Sequence, residues 1–465
     1  MFITMEEATN FIYQSYMEAQ PYLSYQTADR QKRNPDYTKK LLQELDTGNN
    51  ILITGSKGKG SVARMLSKLL QAGGKDVGLF TSPHVIVFNE RIQRNDKNIT
   101  EKELIACCNE IRTDIEHIHT SKGSYVSPIG IQCALALKFF QKNNVDVKIM
   151  ECGKGVRYDD TRNLSRSYGV INPIFLEHTR ELGKDLKTIA EDKGDLILPH
   201  MKAVYVAEQS QEVLEVLQKR AAECKVSLKY YGRDFWCEDV CYTEQGMEFT
   251  VITQRHRYQK LSLPLLGSFQ AKNCALALAL AEEVLGQQQE EKVRAALAKI
   301  KYPGRMEIIS KNPLTILDAC IHPKAAVQVK EVLKQCIYQK NPDNRKMELQ
   351  REYTKQTIPK SVPTPKLAVV LAIPMDKDYL GTAREMSELA DVILLTKINN
   401  PHYHFSPEQA EKVRAEGIAC EFINNLKEAR RRAESSGAEV ICLLGTTAMI
   451  TEVLTEQGSF SYRIL

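Results

Sequence analysis

The sequence predicts an α/β protein with a mostly parallel central sheet domain, followed by a smaller Rossmann-like α/β domain at the C-terminal end. Three observations carry this. Short β-rich runs alternate with amphipathic helical patterns along 465 residues, a length too great for one ordinary core. A glycine-rich turn, GSKGKGS at 55–61, joins the first clear strand to a helix, which gives the central sheet a phosphate-loop character. The alternation then restarts after the Pro-Gly pair of KYPGRME at 301–307, so that stretch reads as a joint between units of residues 1–300 and 301–465.

The elements follow in order. Residues 51–54 are apolar and β-branched and read as a strand, with a helix from about Ser61. A second strand is expected at 77–80 and a third at 145–151, the latter preceded by an apolar-faced helix at 129–141. Strands at 170–172 and 203–206 continue the series. The stretch 235–263 changes character: the alternation in MEFTVITQ predicts an antiparallel excursion at the sheet edge. Helices at 270–285 and 290–300 close the first unit. In the second, strands are expected at 314–318, 367–372, 392–396 and 440–444, while the polar, Pro-punctuated segment 338–366 reads as a loop or insertion.

Composition excludes several classes. A net charge of +5 is mild for this length, and no basic run is interleaved with aromatics, so nucleic acid is not expected as a partner. No apolar run approaches the ~20 residues that span a bilayer. The N-terminal MFITMEEATN has acids where a signal peptide needs a basic start. Twelve cysteines are scattered without CxxC spacing, which points to reduced thiols and a cytoplasmic protein.

The loop carries the first chemistry. Gly55, Gly58 and Gly60 let backbone N–H groups, including those of Ser56 and Lys57, converge on a phosphate at a helix N-terminus. Lys59 reaches outward to the distal phosphates, and the Ser61 hydroxyl falls where Mg²⁺ is usually held. The spacing departs from the ordinary Walker pattern, because Ile53 occupies the place of its first glycine. A chance cluster at a surface turn is the plain alternative, and the strand–loop–helix context argues against it. Glu151 ends a buried strand, where an unpaired carboxylate is costly, so a metal or cationic partner is expected there.

Further motifs follow: TSPH at 81–84, FNERI at 88–92, ECGKGVRYDDTRN at 151–163, EHTRELG at 177–183, IAEDK at 189–193, GSFQAKN at 267–273, PGRME at 303–307 and MDKD at 375–378. With them the chain resembles the folylpolyglutamate synthases, which are Mur-type ATP-dependent ligases carrying GTNGKGS, TSPH and FNERI at similar separations. The resemblance implies ATP and Mg²⁺ as cofactors, a small-molecule carboxylate acceptor with an amino acid, glutamate, as the amine donor, and a monomer. It implies that loop residues 55–61 hold ATP phosphates and that Ser61, Ser82, Glu151 and His178 serve the metal, with Lys193 carbamylated. Asn273 is implied at the adenine end, Arg305 at the phosphates and Asp318 near the ribose or the closing interface. The implied reaction joins a carboxylate to an amine through an acyl phosphate, adding glutamate to folate.

The departures are specific. Lys57 replaces the family's asparagine. Lys154 and Val156 interrupt the glycine pair after Glu151, and the family's D-G-A-H-N-P appears as Asp318-Ala-Cys-Ile-His322-Pro, with Ile321 where the histidine is expected. His322 is the candidate to take over that role. These changes leave two alternatives open: the same ligase chemistry on a non-folate carboxylate such as a peptide, cell-envelope or specialised-metabolite precursor, and a ligase-derived nucleotide-binding protein with little turnover.

Overall fold

The computed structural model describes residues 1–23, 33–121, 123–179, 181–243, 245–286, 288–339 and 366–456, the last turn of the helix ending at Gln339 by its backbone only. Most of the segment expected as a polar loop, 340–365, lies outside the described residues.

The first sheet contains β1 (Asn50–Thr54), β2 (Val77–Phe80), β3 (Ile92–Arg94), β4 (Lys97–Asn98), β5 (Val147–Glu151), β6 (Tyr168–Ile171), β7 (Ala203–Val206) and β8 (Ser227–Tyr230). Their order is β4-β3-β2-β5-β1-β6-β7-β8. The pairs from β2 to β8 are parallel, and β3 and β4 add an antiparallel hairpin at one edge. Successive residues of β1 face opposite cores: Leu52 packs in one cluster, Ile51 and Ile53 in the other. A strand covered on both faces needs an unbroken apolar run, which is why ILIT was readable as a strand.

The region after β8 forms β9 (Trp236–Thr243), β10 (Gly246–Ile252) and β11 (Arg257–Leu263). They are antiparallel, as the alternation predicts, with Met247, Phe249 and Val251 buried. They make a separate three-stranded sheet rather than extending the edge of the first. The physical reason is their apolar face, which packs on the helix Ser268–Leu285 in the second core cluster, so the strands layer onto the domain instead of lengthening it.

The C-terminal α/β domain holds β12 (Glu307–Lys311), β13 (Leu314–Asp318), β14 (Leu367–Ala372), β15 (Val392–Thr396), β16 (Glu421–Ile423) and β17 (Val440–Gly445), in the order β12-β13-β17-β14-β15-β16. Only the β12–β13 pair is antiparallel. Its two faces have their own cores.

The two parts meet through a specific clasp. Val85 and Ile86, from the TSPH–FNERI loop, pack against the C-terminal core, and Thr451 of the helix Thr447–Glu456 donates to the Val85 carbonyl. Glu90 holds that loop in shape by accepting from the N–H groups of Val85, Ile86 and Val87 at 2.8–3.0 Å. Among the described residues no helix is long and apolar enough to cross a membrane.

Candidate active site

Ligands bind α/β sheets beyond the carboxyl ends of the strands, and here three of those ends are brought together at the sheet centre. Register pairs Ile53 of β1 with Glu151 of β5, and Thr54 with Ile171 of β6. Gly55, Glu151 and Asn172 therefore rise side by side. The helix Lys59–Ala72 starts directly from the loop, with Gly58 as its N-cap at φ +83°. The glycines are required by their neighbours as well as by the backbone. At Gly55, also at positive φ (+133°), an added Cβ would lie 2.5 Å from Asn172 Cβ; at Gly58 it would lie 2.7 Å from Asn172 Nδ2 and 2.9 Å from Asn273 Oδ1.

Lys59 folds back so that Nζ donates to the Gly55 carbonyl at 3.0 Å, across the mouth of the loop. Glu151 is buried and accepts from the Ser82 N–H at 3.3 Å. Burial pushes its carboxyl above the usual range, against the pull of Lys59, the Ser82 N–H, Arg64 and Arg305. Ser61 is buried at the first turn of the helix. Thr54 Oγ1 and Asn172 Oδ1 are buried beside the loop without a hydrogen-bond partner among the described residues, the kind of orphan that a ligand or water satisfies.

Lys193 has a side chain with no exposed surface. Nζ donates to the carbonyls of Lys154 at 2.7 Å and Gly55 at 3.3 Å and stands 3.4 Å from Glu177. Desolvation, assisted by Lys59, lowers its pKa to about 8 against the pull of Glu177 and Asp192. His178 sits next to this group at φ +46°, with an exposed side chain 4.0 Å from Glu177. Its charged neighbours are Glu177, Lys154, Glu181 and Lys193. The structure thus groups His178 with Lys193, while Glu151 stands with Lys59, Ser82, Arg64 and Arg305.

The C-terminal domain closes the far wall. Arg305 is held protonated: desolvation pulls its pKa down, but Tyr302, Asp318 and Glu151 outweigh it. Asp318 accepts from the Met306 N–H at 2.9 Å; burial raises its pKa to about 6 although Arg305 and Lys57 oppose. Lys57 projects into this cleft, where desolvation, Arg305 and Lys59 lower its pKa and Glu177 opposes them. His322 is exposed at the start of the helix Pro323–Gln339, with Nδ1 accepting from the Lys324 N–H at 3.2 Å. Ile321, in the place expected for histidine, packs against the C-terminal core. Asn273 is buried against the loop and bonded to Asn172 at 3.4 Å and Gln270 at 3.1 Å.

Several residues of this site were missed in the sequence. Asn172 follows the last residue of β6, so a strand-end rule would have found it. Glu177 lay inside a quoted motif but was not singled out. Arg64 and Tyr302 have no local signal, because their meeting is purely spatial.

Among the described residues no three His, Cys, Asp or Glu side chains cluster to hold a metal. The donors present, two serine hydroxyls and one buried carboxylate, are hard oxygens. Mg²⁺ commonly takes only one or two carboxylates, completing its shell with phosphate and water, so the set fits.

The fold and loop define a Mur-type ligase: residues 53–281 match the Mur ligase middle domain. Over 357 residues the chain is 27% identical to a folylpolyglutamate synthase of Lacticaseibacillus casei, covering 76% of this chain and 77% of that one. Over 297 residues it is 30% identical to a dihydrofolate synthase/folylpolyglutamate synthase of Bacillus subtilis (strain 168), covering 61% and 67%. The chain belongs to the folylpolyglutamate synthase family. Its fold is shared with a Mycobacterium tuberculosis folylpolyglutamate synthase complexed with ADP and AMPPCP, at a TM-score of 0.79 and 24% identity over 96% of this chain and 99% of that one.

Proposed function

We propose that the protein is an ATP-dependent carboxylate–amine ligase that adds glutamate to the γ-carboxylate of a folate. The observation that supports this most directly is the convergence of Lys59, the loop amides and Arg305 on one cleft walled by both domains, in a chain of this family.

The chemistry follows from charge. When the folate carboxylate attacks the γ-phosphorus of ATP, negative charge concentrates on the transferring group, and prepositioned cations are the main source of rate. Lys59 and the N-terminal amides of the helix Lys59–Ala72 hold the phosphates, and Arg305 approaches from the joint between the domains. Ser61, Ser82 and Glu151 would hold Mg²⁺, which supplies further charge neutralisation when bound. The P–O bond to ADP breaks as the acyl phosphate forms. The glutamate amine then attacks its carbonyl carbon, phosphate leaves, and the amine loses a proton. Water would destroy the acyl phosphate, and the clasp of Val85 and Ile86 on the C-terminal core is a means of keeping the two domains closed over it. Asn273 is read as a contact at the adenine end, Asp318 as a ribose or interface contact, and His178 as a partner of a carbamylated Lys193. The protein is read as cytoplasmic, in keeping with cysteines scattered without CxxC spacing.

A second reading keeps the ligase and changes the acid. It is favoured by Ile321 packing inward while His322 stands exposed, an altered wall on the acceptor side. One assay separates them. Phosphate release that requires ATP, glutamate and tetrahydrofolate together supports the folate reading; release only with a non-folate acid supports the second.

A further inference from the structure

Tyr302, in the joint between the domains, stands within cation–π distance of two guanidinium groups. Arg64 Cζ lies 4.9 Å from its ring centroid and Arg305 Cζ lies 5.3 Å from it. Arg64 comes from the helix of the phosphate loop, and Arg305 from the joint itself, so the ring ties the loop to the joint. The Tyr302 hydroxyl is equally placed. A Cβ built on Gly60 would overlap that oxygen and would lie 3.6 Å from Glu151 Oε2. The phenol and the Glu151 carboxylate therefore border the same point above the loop. Arg64 Nε is buried with no hydrogen-bond partner among the described residues, a donor left over beside the site. An aromatic face attracts a guanidinium and fixes its plane, while the N–H fork can still meet an anion.

We propose that Tyr302 is a positioning residue for the triphosphate: resting on the ATP-dependent reading above, its ring fixes the Arg64 and Arg305 guanidiniums so that their N–H groups, Arg64 Nε among them, meet the terminal phosphate above Gly60. The group it serves is the γ-phosphate, which ADP does not carry. Loss of the ring therefore weakens triphosphate binding selectively.

The test is calorimetric titration of the full chain with ADP and with the non-hydrolysable AMPPCP, both with Mg²⁺, for wild type, Lys59→Ala, Tyr302→Phe and Tyr302→Leu. Tyr302→Leu should weaken AMPPCP by about tenfold, the scale of one or two cation–π contacts, and ADP by less than about threefold. Tyr302→Phe keeps the ring and should stay within about threefold of wild type for both ligands. A merely structural role would lower both affinities together. An unchanged AMPPCP-to-ADP ratio in Tyr302→Leu, or a Tyr302→Phe variant as weak as Tyr302→Leu, overturns the proposal. Wild type that binds neither nucleotide, or a Lys59→Ala variant that binds as wild type does, overturns the ATP reading itself.

Discussion

Lys193 Nζ lies 3.4 Å from Glu177 Oε1 at the base of the phosphate loop, inside a pocket that leaves the lysine side chain no exposed surface. Desolvation brings its pKa to about 8, so a usable fraction of neutral amine exists near neutral pH, and only the neutral amine reacts with CO₂. Glu177 opposes this by favouring the ammonium. Glu177→Gln should therefore lower the Lys193 pKa further and increase carbamate formation at pH 7. Nuclear magnetic resonance with ¹³C-labelled bicarbonate reads the carbamate directly; no increase in Glu177→Gln, or a signal surviving in Lys193→Arg, contradicts this. The sign for stability is fixed too. The unfolded chain binds this proton more tightly than the folded one, so Lys193 costs stability below about pH 8, and the cost is relieved as pH rises from there toward 10.5.

Lys59 and Glu151 act on charge rather than on packing. Lys59→Ala and Glu151→Ala should each lower turnover by roughly 10²–10³-fold or more, as loss of a prepositioned charge does elsewhere. Circular dichroism should show the fold intact. Wild-type phosphate release from either variant removes it from the site.

Gly58 is confined twice, by φ +83° and by Asn172 and Asn273 overhead. Gly58→Ala should cost about 2 kcal/mol or more and abolish tight nucleotide binding. Gly48 is the control: φ is +78°, but nothing lies within 4 Å of an added Cβ. Gly48→Ala should show the backbone cost of about 1–2 kcal/mol alone, with nucleotide affinity retained. Equal nucleotide affinity in the two variants would refute the crowding account.

Asp160 is fully buried, beside Asp159, and accepts from Thr38 Oγ1 at 2.6 Å. Burial and the neighbouring Asp159 raise its pKa to about 6. Because the folded value exceeds the unfolded one, its favourable contribution is complete below about pH 3.8 and is lost as pH rises through 6. Asp160→Asn keeps the acceptor for Thr38 and removes the charge. It should be more stable than wild type at pH 7.5 by on the order of 2 kcal/mol, with the difference shrinking at pH 5. Urea denaturation at the two pH values checks this. Asp318, whose pKa is also raised to about 6, titrates in the same window but is common to both proteins, so it cancels in the comparison.

Local signals were legible in the sequence and spatial ones were not. β2, β7, β13, β14 and β15 fall where apolar runs placed them, because a strand buried on both faces cannot hide its composition. β3, β4 and β16 are two or three residues long, too short to show a period, and β8 and β12 are only half-buried or exposed. The phosphate loop was readable because its function requires contiguous glycines. The contact of Arg64 with the Tyr302 ring joins residues more than two hundred positions apart, and no spacing rule connects them. Lys57 stood out as a departure, but its place among Arg305, Glu177 and Cys320 came only from the closing of two domains.

The central claim is that the acceptor carboxylate is phosphorylated before the amine attacks. Folate labelled with ¹⁸O in its γ-carboxylate tests it in one step, by mass spectrometry of the inorganic phosphate released during glutamate addition. The mechanism predicts that one ¹⁸O from the carboxylate appears in that phosphate at each turnover. Amide product formed with phosphate that carries no label would contradict it.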